Sequence, residues 1–322
     1  MDDAFLKVLD TNTAGDPDED GVLWTNLSRP QIARELSGLG FRVSVAVVSQ
    51  LLKRHRMGRR KARKSLPLGH HACRNRQFEI IAKHRAEFMA SPDPILSVDT
   101  KHKEFLGLLF RAGRLYTQQA KKALDHDFPS SAIGVIHPHG FYDVKRNLGH
   151  LNLGLSHDTS RFACDSIAHW WETHGRPAYP DARRILLLCD GGGSNASNRY
   201  VFKYHLEQLA DRLGLELRLA HYPPYCSKYN PIEHRFFPHI TRACQGLLLK
   251  SLEVAVAAMS RTATKKGLQT TVHVLSGEYP LKEGYPEEYR EQMKIRFDEE
   301  LPAWNYRAIP KKSVEMGQLI NS

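Results

Sequence analysis

The sequence predicts an α/β protein: a mixed sheet flanked by helices, preceded by a small all-α element. Two observations predict the sheet. Residues 95–98 (ILSV) and 185–189 (ILLLC) are short, continuous apolar runs, and each is followed at once by an aspartate, as expected of buried strands. Between and after them lie stretches with apolar residues at helical spacing, such as Phe202, Leu206, Leu209 and Leu213. A third observation predicts the all-α element. Two short helical patterns surround a glycine-containing turn and run into a dense basic segment.

Bulk properties narrow the class. The chain has 322 residues, enough for two domains. With 41% hydrophobic and 25% charged residues it has ordinary globular composition. The apolar run 254–259 is far short of the roughly 20 residues that span a bilayer. The opening MDDAFLKVLD is acidic and lacks a secretory core, so a membrane or exported role is not expected. The five cysteines are odd in number and form no CxxC pair, which argues against a disulfide framework and a structural zinc site. They are expected as reduced thiols.

The net charge is +11, and its distribution matters more than its size. Residues 36–78 contain no Asp or Glu but hold Arg42, Lys53, Arg54, Arg56, Arg59, Arg60, Lys61, Arg63, Lys64, Arg74 and Arg76. Charge this dense must be solvated or face an anion, and a polyphosphate backbone is the usual one. A solvated basic linker is the alternative.

Five segments follow. Residues 1–27 read as an acidic, irregular N-terminal segment. Residues 28–66 read as a helix-turn-helix with a basic tail. Ser28 suits an N-cap and Pro30 a first turn, while Ile32 and Leu36 share a face. Gly38 and Gly40 end that helix. Ser44 caps a second, with Val45, Val48, Leu51 and Leu52 inward and Ser49, Gln50 and Lys53 outward. The second helix would enter a DNA major groove, and Arg54, Arg56, Arg59, Arg60, Lys61, Arg63 and Lys64 would lie along phosphates. A plain helical hairpin is the alternative. Residues 67–93 read as a helical linker (Phe78, Ile81, His84, Phe88), broken by Ser91-Pro92-Asp93-Pro94.

Residues 94–275 carry the sheet. A second strand is expected at 104–110, and one or two more within 141–155. A helix capped by Asp158, Thr159 or Ser160 runs through Trp171 and ends at Gly175. Gly191, Gly192 and Gly193 form a turn, Ser194 and Asn195 cap the next helix, Gly214 closes it, and residues 215–219 form a half-exposed strand. Meander strands followed by βαβ crossovers give a mixed sheet. Residues 276–322 read as a C-terminal extension.

The chemistry rests on three acids. If the strands ending in Asp99 and Asp190 are parallel neighbours, both carboxylates emerge at the C-terminal sheet edge, where α/β sheets place their sites. Close carboxylates repel unless a cation sits between them, and hard divalent ions suit carboxylate oxygens. Taken singly, either aspartate could be a turn residue. Glu233 follows Asn230-Pro231, a cap and first helical residue, so it could complete a capping box. Phe237, Ile240 and Cys244 lie at +4, +7 and +11 from it, so it heads an apolar stripe that should face the sheet. A carboxylate there is costly unless paired or metal-bound. Three such acids suit two-metal phosphoryl transfer. Lys101, Lys103 and Lys228 could offset phosphate charge, and the three glycines would let a DNA backbone approach. His102, His221 and His234 lack zinc-site spacing and read as polar neighbours.

The segments VDTKHKE (98–104), HDTSRFACDSIAHWW (157–171), CDGGGSN (189–195) and HYPPYCSKYNPIEHRFF (221–237) resemble bacterial insertion-sequence transposases of the ISAzo, or Rhodopirellula, type. The last also resembles the NPIE signature of mariner-like transposases. The resemblance runs from about Thr13 to Tyr306. It implies an RNase H-like catalytic domain whose acidic DDE triad is Asp99, Asp190 and Glu233, holding two Mg²⁺ or Mn²⁺ ions. The glycines with Ser194, Asn195, Asn230 and His234 would support them. It also implies double-stranded insertion-sequence ends and target DNA as partners, a homo-oligomer on DNA, and a cytoplasmic, nucleoid-associated location. Relatives carry a further N-terminal helical segment, so this chain is expected to begin beyond it. Two other functions remain open: a truncated, non-catalytic copy acting as a repressor, and an RNase H-like nuclease.

Overall fold

The computed structural model describes residues 1–11, 25–60 and 73–311. Lys61, Arg63, Lys64 and all of the acidic stretch 12–21 lie outside them. The chain divides into two units, Met1–Leu66 and Pro67–Ser322. Among the described residues no helix is long and apolar enough to cross a membrane.

The first unit packs three helices, α1 (Asp2–Thr11), α2 (Arg29–Gly38) and α3 (Val45–Arg54). Helix α1 corrects the expectation of an irregular N-terminus. Its Phe5, Val8 and Leu9 are short of a full stripe, yet they close a core with Ile32, Leu36, Val48 and Leu51. Each fully buried aliphatic or aromatic side chain there contributes about 2 kcal/mol. Gly40, at φ 88°, makes the α2–α3 turn in the left-handed region that glycine tolerates. The Ser44 hydroxyl caps α3 by accepting from the Val47 N–H (3.3 Å). Val45, expected inward, is exposed, because it directly follows that cap.

The second unit contains α4 (Arg74–Met89), β1 (Ile95–Thr100), β2 (Glu104–Leu106), β3 (Gly134–Asp143), β4 (Leu148–Gly154), α5 (Ser160–Trp170), α6 (Arg176–Ala178), β5 (Arg184–Cys189), α7 (Tyr200–Leu213), β6 (Glu216–His221), α8 (Pro231–Arg235), α9 (Phe237–Cys244), α10 (Leu252–Ser260), β7 (Gln269–Leu275), α11 (Tyr289–Gln292), β8 (Arg296–Phe297) and β9 (Asn305–Ala308). The sheet order is β7-β4-β3-β1-β5-β6-β9-β8, with β2 paired to β3 off this path. Strand β3 is antiparallel to β1 and β4, whereas β5 is parallel to β1 and β6. The central strands thus join a three-strand meander to two parallel crossovers, the RNase H-like arrangement.

Alternation along the strands builds both faces. Leu96, Val98, Ile185 and Leu187 meet α5 and α7 on one side. Ile95, Leu186 and Leu188 meet Ile81 and Phe88 of α4 on the other. Helix α4, expected as a linker, is therefore a layer of this domain. The expected strand at 104–110 stops at Leu106, before Gly107 (φ 136°). Strand β3 begins at Gly134, ahead of the expected 141, because His137-Pro138-His139-Gly140 breaks the apolar pattern. Gly175 does not end a helix. The chain stays helical through it in a widened turn, and a Cβ there would stand 2.4 Å from Trp171. The expected C-terminal extension supplies β9, which pairs with β6 inside the sheet.

Candidate active site

Strand register creates the site. Val98 of β1 pairs in parallel with Cys189 of β5, so Asp99 and Asp190 leave the same sheet edge side by side. Backbone amides hold both: the Thr100 N–H donates to Asp99 Oδ1 (2.7 Å) and the Gly192 N–H to Asp190 Oδ1 (3.2 Å). Buried His221 bonds the Asp190 carbonyl through Nδ1 (2.9 Å) and Tyr306 Oη through Nε2 (2.9 Å). A carbonyl can only accept, so Nδ1 carries the proton and Nε2 accepts from the tyrosine. Burial keeps that ring neutral, with its pKa lowered to about 4.

Glu233 reaches the aspartates because α8 is fastened to β1. Ser97 Oγ donates to Asn230 Oδ1 and accepts from the Ile232 N–H (2.8 Å), while Asn230 Nδ2 donates to the Val98 carbonyl (3.2 Å). The Asn230 side chain thus bonds the strand and does not cap α8. Phe237, Ile240 and Cys244 are buried as the stripe required. The helix is broken at Phe236 (φ −126°), so the stripe continues over two short helices.

The three acids line one cleft of about 450 Å³, together with Thr100, Lys101, His102, Lys103, His137, Asp158, Gly192, Gly193, Ser194, Asn195 and Ser227. Burial first, then the Asp190 charge and a hydrogen bond to Glu233, push the Asp99 carboxyl up to about 9. Burial first, with Glu233 and Asp158, also raises Asp190. As placed, no three His, Cys, Asp or Glu side chains among the described residues are gathered closely enough to hold an ion. Asp99 has Glu233 close beside it in this arrangement. The donor set nonetheless fits a divalent cation: hard oxygens, unfavourably charged together, at an open edge.

Other sequence candidates divide. Gly193, at φ 67°, turns the chain toward the cleft. Gly191 is exposed beside it. Ser194 and Asn195 do not cap α7, whose N-cap is Arg199. They are buried at the cleft, where the Ser160 hydroxyl donates to the Ser194 carbonyl (2.9 Å). Lys101 is paired with Glu104 (2.5 Å), which also takes Arg111. It is therefore not a free cation for phosphate. Lys228 and His234 line a separate cleft with Arg85, Tyr229 and Arg235.

In the first unit Gln50, Lys53, Arg56, Arg59 and Arg60 are exposed. Arg54 is committed to Asp2 (2.8 and 3.0 Å), and Ser49 Oγ accepts from Arg29 (3.1 Å). Sequence reasoning passed over Ser97, Thr100 and His137, and treated Asp158 as a capping candidate. The paired signal of a serine inside β1 and an asparagine heading α8 could have revealed the fastening.

No curated protein matches the chain. Several solved structures are similar to this chain in backbone course. A Mos1 transposase paired-end complex with left transposon end is 15% identical, covers 79% of this chain and 68% of its own, and gives a TM-score of 0.43. A Mos1 mariner paired end complex with Mn is 18% identical, with coverage of 79% and 68% and a TM-score of 0.41. A Mos1 Strand Transfer Complex is 17% identical, with coverage of 79% and 67% and a TM-score of 0.42. The family described as Rhodopirellula transposase DDE domain matches residues 4–310, nearly the whole length, and the chain belongs to that transposase family.

Proposed function

We propose that this protein cleaves and joins DNA at insertion-sequence ends, with Asp99, Asp190 and Glu233 holding two divalent ions, Mg²⁺ or Mn²⁺. The observation that carries the reading is the meeting of three carboxylates from β1, the end of β5 and α8 in one cleft. Family membership supports DNA as the substrate. When bound, the ions would activate a water or a 3′-hydroxyl and stabilise the leaving 3′-oxygen.

The chain's own residues do the rest. Asp99 and Asp190 present oxygens fixed by backbone amides. Glu233 closes the set from the helix side, held by Ser97 and Asn230. His221 and Tyr306 fix the Asp190 backbone. Gly192 and Gly193 leave room for a phosphodiester, and Lys103 adds positive charge. Gln50, Lys53, Arg56, Arg59 and Arg60 of the first unit would grip duplex DNA, with Gln50 facing base edges and the cations facing phosphates. The working form on paired ends and target is a homo-oligomer, which places the protein at the nucleoid.

The test is strand transfer by the purified chain on end-containing duplex with Mg²⁺ or Mn²⁺. Wild type is expected to produce joined products, and Asp190→Asn and Glu233→Gln to fall to background. Equal activity in Asp190→Asn would sink the reading.

A further inference from the structure

Asp158 lines the same cleft as the three acids. It stands between β4 and α5, one residue before Thr159. The Thr159 side chain already caps α5 by accepting from the Phe162 N–H (3.2 Å), so helix capping does not account for Asp158. Its carboxylate accepts from the Thr100 hydroxyl (3.2 Å), and Thr100 directly follows Asp99 on β1. Among the described residues no lysine or arginine pairs with it. Lys101 is occupied by Glu104. His137 and His139, which feel its charge, are held below the usual imidazole range by burial. A half-buried carboxylate with no counter-charge, sharing a cleft with three others and raising Asp190 by its charge, is costly unless a cation joins them.

We propose that Asp158 is a fourth acidic member of this site, a positioning residue that raises the affinity of the cleft for divalent cations. It also holds the Asp99 end of β1 through the Thr100 hydroxyl. Three carboxylates leave two divalent ions with a net positive charge, and the fourth neutralises it. The inference rests on reading Asp99, Asp190 and Glu233 as the metal-holding set.

The experiment titrates Mn²⁺ into the full-length, DNA-free protein and follows free Mn²⁺ by electron paramagnetic resonance. Asp158→Asn removes the charge but keeps an acceptor for Thr100. It is expected to weaken Mn²⁺ binding about 10- to 100-fold, with the melting temperature in chelator unchanged or raised. Asp158→Glu should recover part of the affinity. Asp158→Ser gives the same readout if the amide disturbs folding. If Asp190→Asn loses Mn²⁺ while the Asp158 variants bind like wild type, the inference falls alone. If Asp190→Asn also binds like wild type, the metal-site reading falls and takes the inference with it.

Discussion

Ser97 is a small residue with a large share of the site's geometry. Its hydroxyl donates to Asn230 and accepts from the Ile232 N–H, and all three residues are fully buried. Ser97→Ala would leave a buried carbonyl oxygen and a buried amide without partners, at a cost of about 1–3 kcal/mol for each group. Urea unfolding should therefore show a clear drop in midpoint, and DNA cleavage should fall with it because Glu233 loses its support. An unchanged midpoint would mean that α8 is held by apolar packing alone. The residue scale is also where sequence reading was most uneven. Asp99, Asp190 and Glu233 were legible from strand ends and helix phase. Ser97 was hidden because a serine within an apolar strand looks like a lapse in the pattern until its partner, 133 positions away, is known. Charge was legible in amount but not in availability: Arg54 and Lys101 are tied to Asp2 and Glu104.

Among the elements, the helix running through Gly175 shows why a glycine rule can mislead. Gly175 has helical backbone angles (φ −67°), and its lack of a side chain lets Trp170 and Trp171 pack over it. Gly175→Ala would place a methyl 2.4 Å from Trp171 and 2.8 Å from Trp170. It should destabilise the fold by about 1–3 kcal/mol through overpacking, read as a lower melting temperature. A gain in stability, as expected for alanine in an ordinary helix, would contradict the packing argument. The strands that follow simple apolar runs, β1 and β5, were legible. Strand β3 was not, because Pro138 and two histidines sit inside it. Strand β9 was not, because its four residues pair with β6 from 85 to 91 positions away, a contact that local pattern does not encode.

Buried histidines shape the whole molecule's response to acid. His139 and His221 are lowered to about 4 and His150 to about 3, each chiefly because burial disfavours the charged ring. The unfolded chain takes up these protons as pH falls through 6.5, while the folded chain refuses them, so stability is full above that pH and lost below it. Asp99 acts in the opposite sense, since its raised pKa lets the folded state keep a proton. Asp143 and Asp190 are raised as well, but the lowered rings, joined by His84, His137, His169, His174 and His273, outnumber these acids, so stability falls as pH drops from 6.5 toward 4. The urea midpoint of the chelated protein should fall accordingly from pH 7 to pH 5, and a flat profile would contradict the burial of these rings. The central claim spans the same scale, because its three acids come from distant parts of the chain. It is tested most directly by loading the protein with Fe²⁺ in place of Mg²⁺ and adding ascorbate and peroxide, so that radicals formed at the bound ion cut the nearby backbone. Cuts are expected near residues 99, 190 and 233, suppressed by excess Mg²⁺ and absent in Asp190→Asn. Cuts elsewhere, or cuts that persist in that variant, would contradict a metal site at this sheet edge.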